Sequence, residues 1–371
     1  MEFAATRPSA PGGPVRVMLV DDSAVVRGLI TRMLKPEPEI AIVASVSDGA
    51  QAVRQVRRDR SIDVVVLDVE MPVMDGLMAL KEMVALDPSL QVIMASTLTQ
   101  RNAEISLQAL AAGAADYVPK PSSERLGGSE EFRRELVAKV QALGRRRKQM
   151  RSPSAVATAY GGTYVPRPAP LLRSAVAVRP DIIAIGSSTG GPQALTAVLG
   201  EVEEIRQPIL ITQHMPPTFT AVLAEHLGRV SGRPCAEAKN GERLLSGRIY
   251  VAPGDHHLLV QGTRDAARVR LTRDAPENFC RPAVDPMLRS LAEMFGGRVL
   301  AVILTGMGSD GCSGARHVVA AGGTVLAQDE ATSVVWGMPG AVAGAGLCAN
   351  VLPLPRLASA IVKLASGGTA S

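Results

Sequence analysis

Short β-branched apolar runs, each closing on a polar residue, alternate with helical patterns along most of the chain. This alternation restricts the fold more than any other feature. Val15 to Val20 closes on Asp21-Asp22, and Ile40 to Val46 follows. Asp63 to Leu67 closes on Asp68, Gln91 to Ala95 on Ser96-Thr97, and Ala115-Asp116-Tyr117-Val118 on Pro119-Lys120-Pro121. After the first run, Ser23 can cap a helix whose apolar face is Val26, Leu29, Ile30, Met33 and Leu34. Strands alternating with helices imply a parallel sheet with right-handed crossovers, and residues just past such strands collect at its carboxyl edge. Asp21, Asp22, Asp68, Thr97 and Lys120 are therefore expected to meet. Clustered carboxylates repel one another unless a cation sits among them, and Mg²⁺ suits an oxygen-rich, partly hydrated site. A lysine and a hydroxyl nearby could hold an added phosphoryl group. Each of these residues alone would read as a cap or a turn acid.

The same alternation returns after a break. Ile182 to Ile185 runs into Gly186-Ser187-Ser188-Thr189-Gly190, a G-x-S-x-G pattern, with Pro192 placed for the first turn of a helix. Such a turn can lift Ser188 toward outward-facing backbone N–H groups; it can also be no more than a tight turn. Pro208 to Thr212 closes on Gln213-His214, and Arg298 to Leu304 on Thr305-Gly-Met-Gly-Ser-Asp310. A fourth run, Thr324 to Ala327, follows Gly322-Gly323. Ser188, His214 and Asp310 thus each follow a buried parallel strand and can share one sheet edge.

A nucleophilic serine needs a base within reach, and the base needs an orienting acid. His226 and His317 fall in helical patterns. His256 and His257 are expected in a turn between antiparallel strands. His214 is the best base and His257 the runner-up. Gly306-Met-Gly308-Ser-Asp310-Gly311 also fits G-x-G-x-x-G, with Asp329 downstream, but a carboxylate inside a loop meant for pyrophosphate argues against a dinucleotide site.

Between the halves, Leu136 to Leu143 closes a helix, and residues 144–179 read as a flexible linker. It opens with Arg145-Arg-Arg-Lys and continues rich in Ser, Pro, Gly and Ala. Much of the modest +5 charge sits in that basic run, so it marks a solvated linker better than a nucleic-acid surface. No apolar run approaches the ~20 residues of a membrane span. The first residues lack the apolar middle of a signal peptide. Four scattered cysteines without a C-x-x-C pair point to reduced thiols in a cytoplasmic protein.

The first half resembles the receiver domain of two-component response regulators, on Asp21-Asp22, Leu67-Asp68-Val-Glu-Met-Pro-Val-Met-Asp75-Gly76, Ala95-Ser-Thr97 and Lys120-Pro121. That resemblance implies Asp68 as phosphoacceptor. Asp21, Asp22, Asp68 and the Glu70 backbone carbonyl would be Mg²⁺ ligands, and Thr97, Tyr117 and Lys120 the switch residues. The second half is similar to the chemotaxis protein-glutamate methylesterases, on Ile185-Gly-Ser-Ser188-Thr-Gly-Gly191, Ile211-Thr-Gln-His214-Met-Pro-Pro217, Val251-Ala-Pro-Gly-Asp255, Arg281-Pro282-Ala-Val-Asp285 and Ile303-Leu-Thr-Gly-Met-Gly-Ser-Asp310-Gly311.

The implied layout is a disordered tail over 1–14, a (βα)5 doubly wound receiver over 15–143, the linker, and a catalytic domain over 180–367. That second domain is expected to be doubly wound α/β, with a mostly parallel sheet and a β-hairpin. The implied chemistry is a Ser188-His214-Asp310 acyl-enzyme cycle on glutamate γ-methyl esters, with glutamine deamidation as a second activity. Backbone N–H groups near Thr189 and Met307 are the guess for the oxyanion site. Ester hydrolysis would need no cofactor. The order Ser, His, Asp differs from that of α/β-hydrolases. The implied partners are methyl-accepting chemotaxis receptors as substrate and a sensor histidine kinase as phosphodonor. The protein is expected to be a cytoplasmic monomer recruited to receptor arrays, without membrane insertion or nucleic-acid binding, and with the unphosphorylated receiver acting as a lid. An esterase serving a signalling array outside chemotaxis, and a catalytically silent regulator, remain alternatives.

Overall fold

The computed structural model describes residues 13–120, 129–151, 172–173, 178–202 and 205–368. The chain divides into two compact units, Met1–Arg167 and Pro168–Ser371. Most of the expected tail and linker lies outside the described residues.

In the first unit, strands β1 (Val15–Val20), β2 (Ile40–Val46), β3 (Val64–Asp68), β4 (Gln91–Ser96) and β5 (Asp116–Pro119) form a parallel sheet in the order β2-β1-β3-β4-β5. Helices α1 (Ala24–Leu34), α2 (Gly49–Arg58), α3 (Gly76–Leu86) and α4 (Gln100–Ala111) alternate with them, and α5 (Ser129–Arg151) follows. Side-chain oxygens of Ser23, Asp48, Asp75 and Thr99 accept from backbone N–H groups in the first turns of α1 to α4. Each helix therefore starts where a short polar residue satisfies its orphan donors. Every residue of β3 and β4 is buried, which explains their continuous apolar runs. The chain leaves β1 and β3 toward opposite sides, so the crevice past their carboxyl ends holds Asp21, Asp22 and Asp68.

One expectation fails here. The helix does not end at Leu143; α5 runs to Arg151, so the basic run opens no linker. Arg147 is buried at 1% exposure and pairs with Asp87 at 2.7 Å, with Asp63 3.8 Å away, and Arg145 pairs with Glu39 at 2.6 Å. Gly144 is kept small by Val15, whose Cγ1 lies 2.3 Å from where a Cβ would sit. The charges that suggested a solvated tether are ion-pair partners of the receiver itself.

The second unit carries a seven-stranded sheet in the order β14-β13-β12-β6-β7-β9-β8. Its strands are β6 (Ile182–Ser187), β7 (Ile209–Gln213), β8 (Cys235–Glu237), β9 (Ile249–Val251), β12 (Val299–Ile303), β13 (Thr324–Gln328) and β14 (Asn350–Leu352). Each neighbouring pair is parallel. An antiparallel hairpin, β10 (His257–Gln261) with β11 (Arg268–Thr272), stands apart from this sheet. His256 therefore lies between a parallel-sheet strand and the hairpin, and His257 opens β10 opposite Thr272, so neither sits in a turn between antiparallel partners. Helices α6 (Gly191–Leu199), α7 (Phe219–Ser231), α8 (Val284–Phe295), α9 (Cys312–Ala320), α10 (Met338–Gly344) and α11 (Leu354–Ala365) complete the unit. One continuous core joins β6, β12 and β13 to the hairpin and α8 through Ile182, Val299, Val325, Leu258, Val269 and Leu288. From β6 the chain steps to β7 on one side and later to β12 on the other, which makes the carboxyl ends of these three central strands the switch point. Among the described residues no helix is long and apolar enough to cross a membrane.

Candidate active site and phosphoacceptor site

Ser188 follows β6, His214 follows β7 and Asp310 lies in the loop after β12. The strand ends are tied together by polar side chains. Ser187 Oγ donates to Gln213 Oε1 at 2.6 Å, and Gln213 Nε2 donates to the carbonyls of Ser188 at 2.9 Å and His214 at 3.2 Å. The backbone N–H of His214 donates to the carbonyl of Ser187 at 3.1 Å. Gly190, with φ of +76°, makes the turn that opens α6. Gly306 sits directly behind the serine: a Cβ there would lie 2.9 Å from Ser188 Cβ and 2.3 Å from Met338 Sδ.

Asp310 is 1% exposed, so its charge must be met by the protein. Its Oδ2 accepts from His214 Nε2 at 2.7 Å and from Val284 N at 2.6 Å. Its Oδ1 accepts from Asp285 N at 3.1 Å, Asn278 Nδ2 at 3.0 Å and Gly311 N at 3.0 Å. Val284 and Asp285 open α8, so the carboxylate caps the positive end of that helix. Burial works against the Asp310 charge, but the bond to His214, its charge and these N–H groups outweigh it and hold Asp310 below the usual carboxylate range. Asp285 goes the other way. Burial and the neighbouring Asp310 charge push it up, while Gly314 N and Asn278 donate to it. One carboxylate of the pair is thus kept ionised beside the imidazole, and the other is the one that takes a proton first.

The remaining histidines are held in structural roles. His257 is 1% exposed, accepts from Ala283 N at Nδ1 and lies 3.1 Å from the Ala275 carbonyl at Nε2. His226 meets Thr196, His256 meets the Gly254 carbonyl and Arg273, and His317 meets the Ser313 carbonyl. His214 alone among them contacts an acid at the switch point.

One feature departs from the sequence reading. Gln213 Nε2 bridges the carbonyls of Ser188 and His214, but His214 Nδ1 faces Cys280 Sγ at 3.4 Å. With Nε2 on Asp310, both ring nitrogens are taken, and among the described residues no hydrogen bond joins Ser188 Oγ to the imidazole. Burial opposes the charged imidazolium, yet Cys280 and Asp310 outweigh it and raise His214 to about 10. The N–H of Ser188 itself is engaged with the Thr305 carbonyl at 3.0 Å. Thr189 is buried at 2% and Met307 is half-buried, both in the turns that flank Ser188.

Cys280 and Asn278 had no role in the sequence reading. They belong to a tight turn in which Glu277 and Cys280 exchange backbone hydrogen bonds of 3.1 and 2.8 Å. Both central residues have positive φ, +51° at Asn278 and +64° at Phe279, as a type I′ turn requires. The left-handed conformation costs a residue such as Phe279 about 1–2 kcal/mol. Phe279 is 78% exposed at the turn's tip. Their only sequence signal was adjacency to Arg281-Pro282-Ala-Val-Asp285.

In the first unit the expected acids and lysine do meet. Lys120 Nζ lies 2.6 Å from Asp21 Oδ2 and 2.7 Å from Asp68 Oδ1. Asp21, Asp22 and Asp68 each place a carboxylate oxygen within 4.8 Å of the others. Burial raises Asp68, the Asp21 charge adds to this, and Lys120 offsets only part. Asp21 Oδ2 is buried and, apart from its ion pair with Lys120, has no hydrogen-bond partner. A cluster short of positive charge, with an underused oxygen, fits a divalent cation. Glu70 follows β3 with its side chain exposed. Thr97 is exposed past β4, where its Oγ1 accepts from Asn102 Nδ2 at 2.7 Å. Tyr117 is buried in β5 at 4% exposure, with Lys139 Nζ 5.2 Å from its ring centre.

Residues 183–361 match the family model described as CheB methylesterase, and residues 17–127 match that of the response regulator receiver domain. The protein-glutamate methylesterase/protein-glutamine glutaminase of Azospirillum brasilense is 57% identical over 373 residues, covering 96% of this chain and 94% of its own. Protein-glutamate methylesterase/protein-glutamine glutaminase 1 of Paramagnetospirillum magneticum is 56% identical over 380 residues, covering 98% of this chain and 100% of its own. The crystal structure of the Thermotoga maritima CheB methylesterase catalytic domain is 41% identical and covers 50% of this chain and 100% of that one, with a TM-score of 0.49.

Proposed function

The chain belongs to the protein-glutamate methylesterase/protein-glutamine glutaminase family, and on that footing we propose that it hydrolyses glutamate γ-methyl esters on chemotaxis receptors, under control of phosphorylation at Asp68. The observation that carries the reading is the buried Asp310 carboxylate bonded to His214 Nε2 at 2.7 Å, beside the Ser188 turn. This bond leaves Nδ1 as the basic nitrogen of neutral His214.

In the proposed cycle, Ser188 Oγ attacks the ester carbonyl and its proton passes to His214 Nδ1. The imidazolium, steadied by Asp310, returns that proton to the methoxy oxygen as the carbon–oxygen bond breaks and methanol departs. Water then adds to the acyl-enzyme with His214 again taking a proton, and Ser188 is regenerated beside a free glutamate. Amides of glutamine differ only in the leaving group, so the same residues serve deamidation with ammonia departing. Thr189 and Met307 N–H groups, in the turns that flank Ser188, are the proposed oxyanion donors.

At the receiver, Asp21, Asp22, Asp68 and the Glu70 carbonyl would hold Mg²⁺, which neutralises charge on the incoming phosphoryl group. Asp68 accepts that group from a sensor histidine kinase, while Lys120 turns from Asp68 to a phosphate oxygen and Thr97 donates to another. The acidic cluster and the lysine bridging it support this assignment. The protein is proposed to work as a cytoplasmic monomer at receptor arrays.

Methanol release from methylated receptor membranes tests the first part. Wild-type protein is expected to release it, and Ser188→Ala to lower the rate by roughly 10⁴-fold or more. Release at the wild-type rate would remove Ser188 from the mechanism. Adding a small-molecule phosphodonor should accelerate wild type and leave Asp68→Asn at its basal rate. Equal stimulation of both would refute control through Asp68.

A further inference from the structure

His214 Nδ1, the nitrogen that must receive the serine proton, is occupied by a thiol. We propose that Cys280 is a positioning residue that competes with Ser188 for His214 Nδ1, so that turnover requires its displacement and its presence beside the imidazole narrows the pH range of the base. The inference rests on the reading of His214 as the base for Ser188.

The geometry leaves little freedom. The imidazole is pinned through Nε2 to Asp310 at 2.7 Å, so its other nitrogen points one way, and Cys280 Sγ lies there at 3.4 Å. Cys280 is itself pinned. It closes the Glu277–Cys280 turn, Asn278 of that turn donates to both Asp310 and Asp285, and Glu277 pairs with Arg289 of α8. The same turn therefore touches the acid through Asn278 and the base through Cys280. In the proposal, rotation of the Cys280 side chain would free Nδ1 and leave the His214–Asp310 bond in place.

The pair has two proton arrangements. In the neutral one the S–H donates to Nδ1 of a neutral imidazole. In the other the thiol proton has passed to Nδ1, leaving a thiolate beside an imidazolium. No proton is gained or lost between them. The second cannot accept the serine proton, because Nδ1 already carries one. The charged and titratable groups facing His214 are Cys280 from the turn and Asp310 from the loop after β12. Asp285 and Arg289 of α8 stand behind Asp310, and Arg289 is held by Glu277 and by the Asp285 and Asp310 charges. Asp310 and the Cys280 thiolate both favour imidazolium against the cost of burial, in keeping with a His214 raised to about 10. Removing the thiol removes one of the two, so the base becomes available at lower pH.

The other cysteines do not share this environment. Burial pushes Cys235 and Cys348 up to about 12, and it raises Cys312. Cys280 is half-buried and faces the imidazole.

Two measurements test the proposal. The first is the pH profile of methanol release from methylated receptor membranes between pH 6 and 10. Cys280→Ala and Cys280→Ser are both expected to move the rising limb of kcat/KM down by at least one pH unit, since each removes the sulfur that faces Nδ1 and raises His214. Limbs that coincide with wild type would overturn the proposal. The second is the rate of iodoacetamide modification at pH 7, read at the Cys280 peptide by mass spectrometry. It is expected to be at least tenfold faster in the wild-type chain than in His214→Gln, and equal rates would overturn the proposal whatever the fate of the Cys280 variants. If wild-type protein releases no methanol, the esterase reading fails, and the alkylation rates still decide whether the thiol and imidazole share a proton.

Discussion

At the scale of residues, the candidate site separates two carboxylates by environment. Asp310 is given N–H donors from α8, Asn278 and His214, and its pKa falls; Asp285, buried beside that charge, rises. Charge is thus concentrated on the one carboxylate that touches the imidazole. Asp310→Asn would still fill the space, but its amide nitrogen would face N–H groups and its oxygen alone could accept from His214. Methanol release from this variant is expected to fall by about 10³–10⁴-fold, the scale seen when a triad acid elsewhere loses its charge. A loss of less than tenfold would mean that the carboxylate does not orient the base.

At the scale of elements, the parallel strands explain why distant residues meet. The placement of Ser188, His214 and Asp310 just past three adjacent strands was legible because each follows a short β-branched run, and such runs in an α/β pattern leave their polar successors at one edge. The same logic placed Asp21, Asp68 and Lys120, which the structure brings within ion-pair distance. What the sequence did not disclose came from elements without periodicity. Cys280 and Asn278 sit in a turn whose two positive-φ residues are Asn and Phe, with no glycine to mark it. The extension of α5 to Arg151 was hidden because a run of arginines reads alike whether solvated or paired with Asp87, Asp63 and Glu39. Close approach is a further element-scale constraint. Gly306 packs its Cα against Ser188, so Gly306→Ala must push the serine turn or Met338 aside. This variant is expected to lose at least tenfold in methanol release while thermal unfolding shifts by only a few degrees, as one local clash of about 1–3 kcal/mol allows. Full activity would show that the serine turn tolerates displacement.

At the scale of the whole molecule, two compact units each carry one candidate site, and each buries apolar residues of its own. The single tryptophan, Trp336, belongs to the second unit, so its fluorescence reports that unit. Arg147→Ala leaves Asp87 and Asp63 without their buried partner and is expected to destabilise the first unit by roughly 3–5 kcal/mol. In urea, the circular dichroism transition should shift to lower concentration while the Trp336 transition stays in place. Both shifting together would mean that the units unfold as one. The central claim joins the scales: strand ends deliver a hydroxyl, an imidazole and a carboxylate to one rim, where the hydroxyl becomes a nucleophile. The most direct measurement is covalent labelling by a fluorophosphonate, mapped by mass spectrometry in the full-length chain. The account predicts a single adduct on Ser188, formed at least a hundredfold faster in wild type than in His214→Gln; an adduct elsewhere, or equal rates in the two proteins, would contradict it.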